Sequence, residues 1–173
     1  MTRLRPFPSA RICSALLSLL AFGLAAPPAL AKDEPAPAPV WGQHCGKDGD
    51  SAKEACVLQQ FVTAQPQNTP LLVVQFGFNG PENRPRLILS APLGVMLTAG
   101  ITLAIDGHKA VTAPFQICNN GGCLSVLDMD VAALDQFRQG KVLTVRYFAA
   151  EQKPIDLPVR LDGLDGALAK LAP

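Results

Sequence analysis

The chain has 173 residues with 15 Lys and Arg against 14 Asp and Glu, a formal charge of +1. A balance so near neutral, with no block of basic residues and no aromatic-basic interleaving, gives nucleic-acid binding no electrostatic support. The length fits one domain once a leader is set aside.

That leader is legible at the start of the chain. Arg3, Arg5 and Arg11 precede an apolar run at 12–26, and Ala29-Leu30-Ala31 supplies the small-x-small cleavage pattern, so residues 1–31 read as a signal peptide. Ser14, Ser18 and Gly23 break the run and Pro27-Pro28 ends it, short of the roughly 20 residues a membrane span needs. Cys13 stands where the run begins, not at its end as a lipobox requires, and leaves with the leader. Cleavage after Ala31 leaves 142 residues; three arginines depart, so twelve bases against fourteen acids give the mature chain a charge of −2. Residues 32–40 form a Pro/Ala-rich linker whose alternating prolines favour extended polyproline II and pack no core.

From Trp41 to residue 173 a single β-domain is expected. Runs rich in β-branched and aromatic residues at 57–62, 71–78, 86–90, 101–105, 113–118, 123–128, 142–148 and 155–161 are predicted strands. The run at 71–78 is apolar at nearly every position, which predicts a strand covered on both faces. Ile105-Asp106-Gly107-His108 predicts a tight primed hairpin turn, because Asp tolerates and Gly freely accepts the positive φ it needs. One helix interrupts the strands: Asp128 or Asp130 caps it, Val131, Leu134 and Phe137 recur at helical spacing, and Gly140 is its expected left-handed stop. It is expected to close one end of the fold. In the last strand Ile155, Leu157, Val159 and Leu161 share a face opposite Pro158, which cannot donate to a ladder and so predicts an edge. A second short helix is predicted at 164–171. Short strands at such intervals favour a sandwich or barrel over βαβ units.

The cysteines follow the same logic. With Cys118-Asn119-Asn120-Gly121-Gly122-Cys123 as a four-residue hairpin loop, Cys118 opposes Cys123, Ile117 opposes Leu124, Gln116 opposes Ser125 and Phe115 opposes Val126. Phe115, Ile117, Leu124 and Val126 then form an apolar face, and Gln116, Cys118, Cys123 and Ser125 a polar one, which predicts an outward-facing disulfide clasp. Opposed strand residues lie within disulfide reach. Cys45 and Cys56 pair by elimination, closing the polar loop between them; four cysteines allow three connectivities, and local proximity favours this one.

Little else reads as chemistry. Zinc binding needs reduced thiolates at tighter spacing, and redox catalysis favours a Cys-x-x-Cys that is missing here. His44 and His108 stand beside no nucleophile, and Gly49-Asp50-Ser51 lacks a downstream Asp-x-x-His partner. Asp48, Asp50 and Glu54 fall short of a calcium-loop ligand series. Asp128-Met129-Asp130 reads as a strand end and a cap. The expectation is therefore no catalytic residue, no cofactor and no metal ligand.

Several blocks together resemble the invasion-associated locus B proteins of Gram-negative bacteria. They are Trp41-x3-Cys45, Cys56 leading into a strand, Leu89-Ser90-Ala91-Pro92-Leu93-Gly94-Val95, Ile105-Asp106-Gly107 and Phe115-x-x-Cys118-x4-Cys123. Asp130 through Gly140, then Leu161-x-Gly163-Leu164 and Ala167-Leu168, continue the match in order, while Gln43 departs from the apolar residue the family tends to carry. The resemblance implies an immunoglobulin-like antiparallel β-sandwich, all-β but for one or two short helices, in an exported protein of the periplasm or outer membrane. It implies a non-enzymatic envelope module with a protein partner, named for host-cell invasion, and it supplies no catalytic residues. The alternative is a periplasmic small-molecule-binding or weakly enzymatic protein with a pocket between the sheets or at the loop end carrying Pro81, Asn83, Arg84 and Arg86, where Arg84 and Arg86 are candidate contacts for a ligand or partner.

Overall fold

The computed structural model describes residues 40–47, 54–108 and 110–171. The expected signal peptide, nearly all of the linker, and Asp48, Gly49, Asp50 and Ser51 lie outside the described residues. The described chain runs β1 (Gly42–Lys47), β2 (Glu54–Ala64), β3 (Thr69–Gly77), β4 (Arg86–Ala91), β5 (Ile101–Ile105), β6 (Val111–Ala113), β7 (Ile117–Asn119) and β8 (Gly122–Asp128). Helix α1 (Val131–Gln139), β9 (Val142–Phe148), β10 (Pro154–Arg160) and helix α2 (Leu164–Leu171) complete it.

All strand pairs are antiparallel. One sheet has six strands in the order β1-β2-β3-β4-β8-β7, the other four in the order β10-β9-β5-β6. The two form a β-sandwich, with β10 against β2 and β6 against β8. Its core interleaves Leu72, Val74, Phe76, Leu87 and Leu89 of the larger sheet with Ile101, Leu143, Val145, Tyr147 and Val159 of the smaller, all buried. Phe76 meets two rings edge-on, Trp41 at 5.6 Å and Phe137 of α1 at 5.2 Å, so one side chain ties the larger sheet to the helix.

Polar groups also join the sheets. Leu71 is the residue skipped by a bulge in the β2–β3 ladder, and the Tyr147 hydroxyl donates to its carbonyl at 2.9 Å. Burial raises the pKa of that hydroxyl, in keeping with a neutral donor. Gln60, on the inner face of β2, donates to the Arg160 carbonyl at 2.9 Å and accepts from the Arg160 N–H at 3.1 Å. A buried amide satisfied at both ends costs little and fixes β10 over β2.

Much of the predicted pattern is present. Asp106 and Gly107 have φ of +49° and +73°, and His108 N–H donates to the Ile105 carbonyl at 2.8 Å, as a primed turn requires. Pro158 lies exposed on β10, an edge strand, with Leu157 and Val159 buried on the opposite face. Asp130 caps α1, accepting from the Ala133 N–H at 2.7 Å.

Other expectations are corrected. The strand predicted at 113–118 is two strands in different sheets, broken at Pro114, which has no N–H to continue either ladder. The cysteine register holds at Ile117↔Leu124 and Cys118↔Cys123, but Asn119 also pairs Gly122, so the connection is tighter than four residues. Gln116 does not pair with Ser125: its backbone N–H donates to the Leu124 carbonyl at 2.8 Å, and its side-chain amide bonds the Val126 N–H and carbonyl. Gly122, at φ +129°, is required there: a Cβ would meet the Ala91 carbonyl oxygen at 2.3 Å.

The faces are inverted along β8 and at Ile117, while Phe115 still packs against the core and Cys118 is exposed. Ala91↔Cys123, Leu89↔Ser125 and Leu87↔Leu127 place Cys123 and Ser125 on the core side, whereas Ile117 is 60% exposed. The buried Ser125 hydroxyl is satisfied by donating to the Pro114 carbonyl at 2.9 Å. The neighbouring strand β4, whose leucines must face the other sheet, decides the parity. Strand β3 alternates in burial and is not covered equally on both faces: Leu72, Val74 and Phe76 are buried, and Leu71, Val73 and Gln75 are half-buried. Val131 is 68% exposed in the first turn of α1, beyond the reach of the core that holds Leu134 and Phe137. Gly140 is extended, at φ −71° and ψ 161°; its reason is packing, because a Cβ would sit 2.4 Å from Ile105 Cγ2.

Candidate functional site

A cleft of about 670 Å³ opens where the sandwich meets α1. Leu103, Ile105 and Val111 of the β5–β6 hairpin form one wall, and Leu127 and Met129 at the end of β8 form another. Ala133 and Phe137 of α1 close it on the third side. Val111 explains its origin. It pairs with Leu103 and shares its core-facing side, yet Leu103 is 5% exposed and Val111 54%. The larger sheet does not cover the tip of the β5–β6 hairpin, so a strip of would-be core stays open.

The polar groups at the mouth are held by the fold. The Asp106 carboxylate accepts from the N–H groups of Val142 at 2.9 Å and Lys141 at 3.1 Å, clamping the hairpin turn to the start of β9. Those bonds, Val142 foremost, hold its pKa below the ordinary aspartate value. Asp128 takes both nitrogens of an Arg86 fork, at 2.6 and 3.1 Å, and this pairing lowers its pKa. On the outer face of the smaller sheet Arg146 forks onto its cross-strand partner Asp156 at 2.5 and 2.7 Å, with the same result.

Because these carboxyls titrate lower in the folded chain than in the unfolded one, they stabilise the fold fully above the ordinary value of 3.8. That stabilisation is lost as pH falls through the lower folded values. Urea unfolding between pH 7 and pH 2.5 checks this: the stability of Asp106→Asn should fall less steeply below about pH 4 than that of the unsubstituted protein. Parallel curves would exclude Asp106 as a contributor.

The arginines singled out in the sequence stand apart in role. Arg84 is exposed after Glu82 and Asn83, both at positive φ, with its Nε on the Pro81 carbonyl at 3.3 Å. Arg86 pairs with Asp128, which lines the cleft. Of the two described histidines, His108 lines the cleft and His44 lies on edge strand β1. Sequence reasoning did not single out Val111, Met129 or Ala133, since an uncovered core position carries the same apolar signal as a covered one.

Both disulfides form as expected, Cys45 with Cys56 and Cys118 with Cys123, each joining directly opposed residues of neighbouring strands with Cα atoms 4.0 Å apart. A second apolar surface crosses the outer face of the larger sheet, where Phe61, Val73, Ser90, Leu124 and Ile117 align strand by strand. Phe61 is 57% exposed. Among the described residues no helix is long and apolar enough to cross a membrane.

Fold and site together define a disulfide-braced antiparallel β-sandwich protein with an apolar cleft at its helical end. The sequence model of the Invasion associated locus B (IalB) protein family matches residues 41–172, and the chain belongs to that family. Its structure is similar to the crystal structure of invasion associated protein b from Bartonella henselae, with a TM-score of 0.66 and 23% identity. The match covers 76% of this chain and 90% of that one, and at this identity it speaks for the fold. No curated protein matches the chain.

Proposed function

We propose that this IalB-family protein is an exported module of the cell envelope, periplasmic or associated with the outer membrane, that acts by binding an envelope or surface component and not by catalysis. One observation carries the reading: the described aspartates are taken up by arginines and backbone N–H groups while apolar surface is left open. Each described aspartate is already engaged by an arginine or a backbone N–H. An aspartate serving as general acid or base must be free to exchange its proton with a substrate, and these are held by structural partners. Uncovered apolar residues, by contrast, are what a partner can bury. Export is supported by the two disulfides, which persist in oxidising compartments, and by the leader-like start of the chain.

The test combines osmotic-shock fractionation with crosslinking and affinity capture from envelope fractions. The expected result is release with the periplasmic contents or recovery with outer membranes, a mature N-terminus at Lys32, no free thiol, and one reproducibly captured envelope component. Cytoplasmic retention with free thiols at all four positions would overturn the reading.

A further inference from the structure

We propose that the cleft between α1 and the β5–β6 hairpin binds a small apolar molecule whose polar end is uncharged or cationic. This rests on the binding reading above and names a ligand class for one of its two open surfaces.

Three observations lead there. The first is the uncovered strip itself: Val111 faces the side of the sheet that is buried everywhere else along β5, so an apolar ligand would take the place of a missing layer of core. The second is size and preparation. At about 670 Å³ the cleft falls within the span of small-molecule pockets, roughly 300 to 1,000 Å³, and its walls are fixed before any ligand arrives. Asp106 clamps the hairpin to β9, and Arg86 holds Asp128. Met129 N–H donates to the Pro85 carbonyl at 2.9 Å, and the Gly140 backbone lies close against Ile105. A site held this way loses little freedom on binding.

The third observation is charge. The described lining holds the carboxylates of Asp106 and Asp128 and neither lysine nor arginine. Both carboxylates are kept ionised by their partners, so a carboxylate, sulfonate or phosphate end group would meet like charge, with no lysine or arginine among the described lining residues. An amine or hydroxyl end suits that mouth, where His108, Gln136 and Gln139 also offer hydrogen bonds. The apolar walls take the rest.

The probe is N-phenyl-1-naphthylamine, uncharged and fluorescent in apolar surroundings, titrated into the purified oxidised protein. One saturable site per chain is expected, with dodecylamine displacing the probe at about one-tenth the concentration of laurate at neutral pH and low salt. Ala133→Trp fills the cleft from α1, and Val111→Asp places a charge on an already exposed wall position; each should weaken probe binding about tenfold or more. Phe61→Ala, on the outer face of the larger sheet, should leave binding unchanged. No saturable signal, undiminished binding by both cleft variants, or displacement by laurate as readily as by dodecylamine would overturn the proposal. Capture of an envelope component is read separately, so the module reading survives a silent cleft.

Discussion

Replacing all four disulfide cysteines by alanine should lower the unfolding free energy by about 5 kcal/mol, a large part of the 5 to 15 kcal/mol typical of a domain. The figure follows from loop closure. Cys45 and Cys56 are 11 residues apart and Cys118 and Cys123 are 5 apart, and in the chain-entropy account such crosslinks contribute about 3 and about 2 kcal/mol. The pair nearer the N-terminus is therefore expected to matter more, although Cys123 is the more buried thiol. Denaturant unfolding of the two paired variants and of the quadruple variant tests both magnitude and order. A quadruple variant within about 1 kcal/mol of the parent would show that the strands hold their register without the bonds.

Phe76→Ala should cost about 3 to 5 kcal/mol and lower the melting temperature by on the order of 10 °C. Phe76 is 1% exposed and lies between Trp41 and Phe137, so its loss opens a void among three elements and removes two edge-on ring contacts. Phe61→Ala is the matched control. The same residue type on the neighbouring strand points outward at 57% exposure, and its truncation should change stability by less than about 1 kcal/mol. Equal losses for the two variants would contradict the assignment of faces. The disulfides close local loops, whereas Phe76 secures the packing of the larger sheet on α1, so the two losses should be close to additive.

The comparison of the two phenylalanines shows where sequence reading has its limit. Alternation sorts residues into two sets on each strand, and the sets at Leu157 and Val159 and at Ile117 and Leu124 were both visible. In β10 the apolar set faces the core as expected. In the β7–β8 hairpin Ile117 and Leu124 face out, because β8 lies beside β4 and takes its parity from Leu87, Leu89 and Ala91. A short hairpin with a glutamine, a serine and two cysteines on its polar side cannot outvote three core residues of the neighbouring strand. The candidate site was hidden for a related reason. Arg84 and Arg86 drew notice as charges, yet Arg86 is bound to Asp128, a partner 42 residues away that pairs with it across β4 and β8.

What the residues determine unaided is local. The Asp106-Gly107 turn, the Asp130 cap, the edge position of Pro158 and the pairing of cysteines close in the chain follow from φ preference, hydrogen-bond capacity and loop length, which act over a few residues. The tertiary structure alone decides that the stretch around Pro114 serves two sheets, that Cys123 and Ser125 turn inward, and that Val111 is left bare beside the cleft. Each of these depends on what a distant strand places opposite, and burial is a property of that opposing layer.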